Sequence, residues 1–115
     1  MFIDTHCHLF SSYYNDIDKV IKRAKFNLVT YYINNGSDYE SNKEVLKLID
    51  KYDSMYGALG IHPEEVEKYG LSDIEFIRSN LNHKKIVAIG EIGLDYHYTK
   101  DNKEKQIELL RNQLK

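Results

Sequence analysis

The chain has 115 residues, enough for one compact domain with one core and too few for two. With 42% hydrophobic and 30% charged residues its composition is that of an ordinary soluble protein, and no apolar run approaches the ~20 residues that cross a bilayer. A formal net charge of −2 excludes the global basic footprint of a nucleic-acid-coating protein. It does not exclude a metal-dependent nuclease site, which is itself rich in carboxylate and imidazole.

Phe2 to His8 reads as a short first strand. Asp4 and two histidines stand where a signal peptide would carry lysines and then an apolar stretch, so a cytoplasmic protein is expected. Cys7 is the single cysteine, which rules out an intrachain disulfide and agrees with a reducing compartment. From Asp16 to Phe26 a helix is predicted, with Ile17, Val20, Ile21 and Ala24 on one face. Leu28 to Ile33 is β-branched and aromatic, a buried strand that stops at Asn34-Asn35-Gly36. The next helix carries Ser41 and Glu44 at capping-box spacing and an apolar stripe of Val45, Leu48, Ile49 and Tyr52.

Met55 to Ile61 is the third strand, followed by Pro63 in the first turn of a short helix through Tyr69. Ser72 and Glu75 form a second capping-box pattern ahead of Ile74, Ile77, Arg78 and Leu81. Lys85 to Gly90 is the fourth strand. Asp101 is positioned to cap a last helix lined by Ile107, Leu110 and Leu114, and the run from Lys100 to Lys105 is its solvated start. Strands alternating with helices imply an α/β fold with a parallel sheet. No repeat, low-complexity tract or linker interrupts the series, so residues 1–115 form one domain or part of one.

The chemistry-bearing residues fall at strand ends. Alternation along a strand puts Asp4, His6 and His8 on one face and Thr5 and Cys7 on the other. Two imidazoles converging in that way suit a divalent ion such as Zn, Fe, Ni or Mn, with a carboxylate to hold or orient a ligand. A histidine pair satisfied in a polar strand end is the plainer alternative, weakened by three polar residues sharing one face of a buried strand. Gly60-Ile61-His62-Pro63 places His62 after the third strand. Gly90-Glu91-Ile92-Gly93-Leu94-Asp95 places Glu91 and Asp95 after the fourth. In (β/α) barrels such ends form the functional face. His83, in a polar connection, is expected to face solvent, and His97 to be a loop residue at or near the rim. Cys7, facing away from the ligands, is expected to be a packed thiol rather than a nucleophile. The ten tyrosines are scattered and read as strand and interface residues.

At Ile3-Asp4-Thr5-His6-Cys7-His8-Leu9, Gly60-Ile61-His62-Pro63 and Gly90 to Tyr96, the chain resembles the TatD family of metal-dependent deoxyribonucleases, within the amidohydrolase-like barrels. Gln106 and Gln113 fall where the following helix of that family usually carries glutamines. The resemblance runs over the whole chain. It implies the first four βα units of a TIM-type (β/α)8 barrel, truncated, since the complete barrel takes about 250 residues. It implies His6 and His8 as ligands of one metal, Glu91 as the carboxylate bridging two, and His62 as a substrate-facing residue near the scissile phosphate. Asp4 and Asp95 are implied as supporting groups behind the ligands.

The implied reaction is phosphodiester hydrolysis in DNA by a metal-activated water, with two divalent ions (Mg, Mn or Zn) roughly 3.5–4 Å apart in the complete site. The later strands of the family supply further histidines and the aspartate linked to water activation. Those residues lie beyond Lys115, so three direct ligands are expected here and the part alone is expected to be inactive. Four parallel strands cannot close a barrel. The chain is therefore expected to be a fragment of a longer protein or a half-barrel that pairs with another chain. A non-catalytic metal-binding or assembly half-barrel, and an amidohydrolase acting on a small ester or amide, are the competing functions.

Overall fold

The computed structural model describes residues 1–115. Strand β1 (Phe2–Cys7) leads to helix α1 (Ile17–Phe26), β2 (Val29–Asn35), α2 (Tyr39–Lys51), β3 (Met55–Leu59), a 3₁₀ turn (Pro63–Glu65), α3 (Leu71–Asn80), β4 (Ile86–Ile89) and α4 (Lys103–Gln113). The four strands form one sheet in the order β1-β2-β3-β4, and every neighbouring pair is parallel. Such connectivity needs a crossover between successive strands, and the helices supply it. The parallel α/β sheet is the one expected from the alternation, and its four βα units agree with the half-barrel that the resemblance implies.

The apolar stripes of the helices close over one face of the sheet. Val45, Leu48 and Ile49 from α2, Ile74 and Ile77 from α3 and Leu109 from α4 meet Tyr32, Met55 and Leu59 from the strands. Gly57 lies directly under α2, where an added Cβ would stand 2.5 Å from Val45 Cγ1. The opposite face and both edges are open. Phe2 on β1 is 63% exposed and Val87 on β4 51%, although β4 (Ile86–Ile89) is of the continuously apolar kind that parallel sheets bury on two sides.

Helix starts depart from the sequence expectation. Helix α2 is capped three residues ahead of Ser41: Asp38 accepts the Ser41 N–H (2.7 Å), and the Ser41 hydroxyl accepts the Asp38 N–H (3.0 Å). Ser41 is thus the third residue of the helix, and Glu44 instead accepts the Ser11 N–H of the β1–α1 connection (2.7 Å). Similarly α3 begins after Gly70, whose N–H is taken by Asp73 (2.6 Å), rather than at the Ser72–Glu75 pair. Helix α4 starts after Asn102, one residue past Asp101. For α2 the spacing of Ser41 and Glu44 matched a cap, but Asp38 in the preceding turn satisfies the free N–H group; α3 and α4 start at Gly70 and Asn102, neither of which caps through its side chain. Strand β2 runs two residues beyond Ile33, and Asn34 and Asn35 pair with Gly57 and Ala58. Strand β3 ends at Leu59, short of the expected Ile61. Pro63 opens a single 3₁₀ turn, not a helix reaching Tyr69.

Candidate metal centre

The C-terminal ends of β1, β3 and β4 lie along one edge of the sheet because all four strands are parallel, so residues far apart in sequence meet at one rim. Glu91 follows β4 after one residue, Gly90. Its N–H donates to Gly36 O (2.6 Å), tying the loop after β4 to the end of β2, while the Gly90 N–H donates to Leu59 O (2.9 Å). His62 follows β3, and its N–H donates to Ser37 O (2.8 Å).

His6, His8 and Glu91 each present one ligand atom, all within 4.8 Å of one another. Glu91 Oε2 lies 3.5 Å from His6 Nε2 and 3.4 Å from His8 Nε2. Two ligand atoms bound tetrahedrally at 2.0–2.1 Å stand about 3.4 Å apart, a spacing that the two imidazole–carboxylate gaps match. The imidazoles meet edge to face with centroids 5.0 Å apart, both directing Nε2 at the same carboxylate. His8 is also oriented from behind. Its Nδ1 is 2.9 Å from Asn35 O, and a carbonyl can only accept, so Nδ1 carries the proton and Nε2 offers its lone pair.

His62 has the opposite tautomer. Its Nδ1 accepts the Glu64 N–H (3.2 Å) at the start of the 3₁₀ turn, leaving the neutral ring's proton on Nε2. That Nε2–H faces Glu91 Oε1 from 3.8 Å. The ring therefore turns a hydrogen-bond donor into the rim, not a ligand lone pair. Glu91 has one oxygen toward the histidine pair and the other toward His62.

The supporting acids stand elsewhere. Asp4 does not join the cluster: its carboxylate accepts the His6 backbone N–H (3.1 Å), and the ladder to β2 is irregular between Asp4 and Cys7. An irregularity there breaks the strict alternation that would have aligned Asp4 with the imidazoles. Asp95 Oδ1 accepts the His97 N–H (2.9 Å), a local turn contact away from the three ligand atoms. Asp4 touches a candidate ligand's backbone; Asp95 touches none.

Cys7 Sγ lies against Ile33 O (3.4 Å) on the packed side of β1. Burial first, and then the Asp4 charge, pushes its pKa up to about 12, so at neutral pH it is an unreactive thiol. His97 is exposed, its ring edge-on to Tyr98. His83 is not the free solvent residue its surroundings suggested. Its Nδ1 accepts the Lys85 N–H (3.2 Å), so the Nε2–H of the neutral ring donates to Asp50 (3.0 Å). Four of the five buried amide residues, Asn34, Asn42, Gln106 and Gln113, hold the strand-end loops and carry no metal-site motif of their own.

Residues 3–115 match the family model for TatD related DNase. YabD of Bacillus subtilis, named an uncharacterized metal-dependent hydrolase, is 39% identical over 115 residues, covering 99% of this chain and 45% of that protein. The crystal structure of YjjV, a TatD homologue from Escherichia coli K12, superposes with a TM-score of 0.89 at 37% identity, over 98% of this chain and 45% of that one. A Saccharomyces cerevisiae amidohydrolase shares the fold at 20% identity and a TM-score of 0.75, over 98% and 42% of the two chains. The chain thus spans less than half the length of these relatives and corresponds to the N-terminal part of a TatD-type TIM barrel. From the match along residues 3–115, the chain belongs to the TatD related DNase family.

Proposed function

We propose that the chain carries the N-terminal part of a divalent-metal phosphodiesterase site acting on DNA. The observation behind this reading is the convergence of His6, His8 and Glu91 on one ion-sized volume at the ends of β1 and β4. The donor set fits a divalent ion, with two imidazole nitrogens and one carboxylate oxygen, and with the His8 lone pair already aimed by its bond to Asn35 O. Once bound, the ion supplies a Lewis acid and lowers the pKa of a coordinated water. Glu91 holds Oε1 clear of the histidine pair, which suits it to bridge to a second ion. His62 turns its Nε2–H toward the same space, where it can donate to a phosphate oxygen and orient the diester. Asp4 supports His6 through its backbone.

The test is cleavage of single-stranded DNA with Mg, Mn or Zn by the chain alone and by the chain joined to the C-terminal portion of the B. subtilis relative. Cleavage by the joined protein, lost in His6→Ala and Glu91→Ala, is the expected result. Cleavage that survives either substitution, or hydrolysis of small esters or amides with DNA left intact, would refute it.

The exposed strands β1 and β4 favour a second reading that bears on assembly. Each presents an unpaired backbone edge and apolar side chains to water, a state that proteins cover by further strands. We infer that a second copy or a complementary half-barrel covers them. Size-exclusion chromatography over a dilution series is expected to show association, and a monomer at every concentration would end this reading.

A further inference from the structure

Five residues with side-chain amides are buried beside the candidate centre; Asn35 orients His8 through its carbonyl, and the other four have no part in the chemistry proposed above. Asn34 accepts the Leu9 N–H (2.7 Å) and donates to Leu9 O (3.2 Å). Asn42 does the same to Gly60, at 3.1 and 2.8 Å. Gln113 pairs with Ile61 at 2.7 and 3.1 Å, and Gln106 with Asp95 at 2.8 Å for both bonds. Each amide thus takes the donor and the acceptor of one residue, as a neighbouring strand would. The clamped residues lie beyond β1, β3 and β4, where the sheet no longer supplies partners and a buried backbone group left alone is costly.

The location of each clamp is what gives it meaning. Leu9 follows His8. Ile61 precedes His62. Gly60 is so close to the next loop that an added Cβ would stand 2.5 Å from Gly90 C and 2.8 Å from Glu91 N. Asp95 closes the segment that begins at Glu91. Gln106 and Gln113 are seven residues apart, two turns along one face of α4, so a single helix reaches the loops after both β3 and β4.

We propose that Asn34, Asn42, Gln106 and Gln113 are positioning residues, which set through the backbone where His8, Glu91 and His62 stand. The proposal rests on the metal-site reading above. A role confined to filling the core would lower stability and nothing else. Positioning makes each amide govern its own neighbour: Asn34 acts on a metal ligand, Gln113 on a residue that is not one.

The experiment is a Co²⁺ titration followed by absorption, together with ¹⁵N NMR of the histidine rings, on the full 115-residue chain. Asn34→Leu is expected to weaken Co²⁺ binding on the order of tenfold, the usual cost of removing a group that orients a ligand. Gln113→Met is expected to leave Co²⁺ affinity unchanged while shifting the His62 ring nitrogens. Leu109→Ala, in the same helix as Gln113, lowers stability through the core and is expected to alter neither readout. Loss of Co²⁺ affinity equal in all three variants, or none in Asn34→Leu, overturns the proposal.

Hydrogen exchange on the unmodified chain tests it without any substitution. The Leu9, Gly60, Ile61 and Asp95 amides are expected to be as protected as those of the central strands, and exchange at the rate of exposed loops overturns the proposal. If the unmodified chain binds no Co²⁺ while these amides are protected and Gln113→Met shifts His62, the metal reading fails and the clamps stand as loop-positioning devices.

Discussion

Gly60→Ala tests most directly how tightly the rim is built. The new Cβ would stand 2.5 Å from Gly90 C, 2.8 Å from Gly90 O and 2.8 Å from Glu91 N, all of them backbone atoms that no rotamer change can move aside. Ordinary contact begins at 3.4 Å, so the loops after β3 and β4 must separate by about 0.9 Å. The Asn42 clamp opposes that movement by holding Gly60 from the α2 side. Overpacking of this kind costs about 1–3 kcal/mol, and contact with rigid backbone argues for the upper part of that range. Restricting the unfolded chain returns roughly 0.4–1 kcal/mol. The net loss is about 2 kcal/mol, or a Tm lower by roughly 8 °C for a domain of this length. Displacing Glu91 by nearly an ångström from imidazoles at 3.4–3.5 Å should also weaken Co²⁺ binding on the order of tenfold. Calorimetry and a Co²⁺ titration measure the two effects. A variant with the parental Tm and affinity would show that the loops are not in this contact, and the reasoning would fail.

Leu28 holds φ 67° in the α1–β2 connection and is 58% exposed, so Leu28→Asn loses little packing and suits the left-handed backbone. A gain of about 1 kcal/mol is expected by thermal melting, and a lower Tm would contradict it. Lys85 Nζ donates to the Ile49 and Tyr52 carbonyls at the end of α2. Lys85→Met should cost about 1–2 kcal/mol in urea with an unchanged m-value, and an unmoved midpoint would show that the cap contributes nothing. The Tyr52 hydroxyl, 2.6 Å from Asp18, chiefly holds that carboxyl below its usual pKa, with Lys51 assisting. Because the folded value is depressed, the stability linked to Asp18 is present above the unfolded pKa and is lost as pH falls through the folded one. Tyr52→Phe should raise the Asp18 titration in a carboxyl-carbon NMR series, and an unchanged midpoint would remove the hydroxyl as the cause.

Strand and helix order was legible because hydrophobic period is a property of long stretches: β2 and β3 are apolar runs, and α2 shows its stripe in Val45, Leu48 and Ile49. Helix starts were less so. Ser41 satisfies the capping-box spacing to Glu44, yet Asp38 stands where the free N–H groups begin, and Ser41 serves the cap from inside the helix. The deciding quantity was which backbone groups lacked partners, and residue spacing does not record it. Asn34 and Asn35 read as a stop because such pairs mark turns. In the structure they extend β2, since Asn34 is consumed by the Leu9 clamp and Asn35 O by His8.

The site divides along the same line. His6, His8, His62 and Glu91 were legible because each is a costly residue to place at the end of a buried strand, and parallel topology brings such ends together. Asp4 was misplaced by assuming perfect alternation through a strand whose ladder slips between Asp4 and Cys7. The tautomers could not be read at all. His8 and His62 are the same residue type, but one is protonated on Nδ1 by facing a carbonyl and the other on Nε2 by facing an N–H. Those two backbone groups turn one imidazole into a lone-pair donor and the other into a proton donor, a division of labour that exists only once the loops are in place. Loop placement in turn depends on amides that look, in sequence, like solvent-facing asparagine and glutamine. The candidate ligands are thus written in residue type, and what orients them is written in backbone partners.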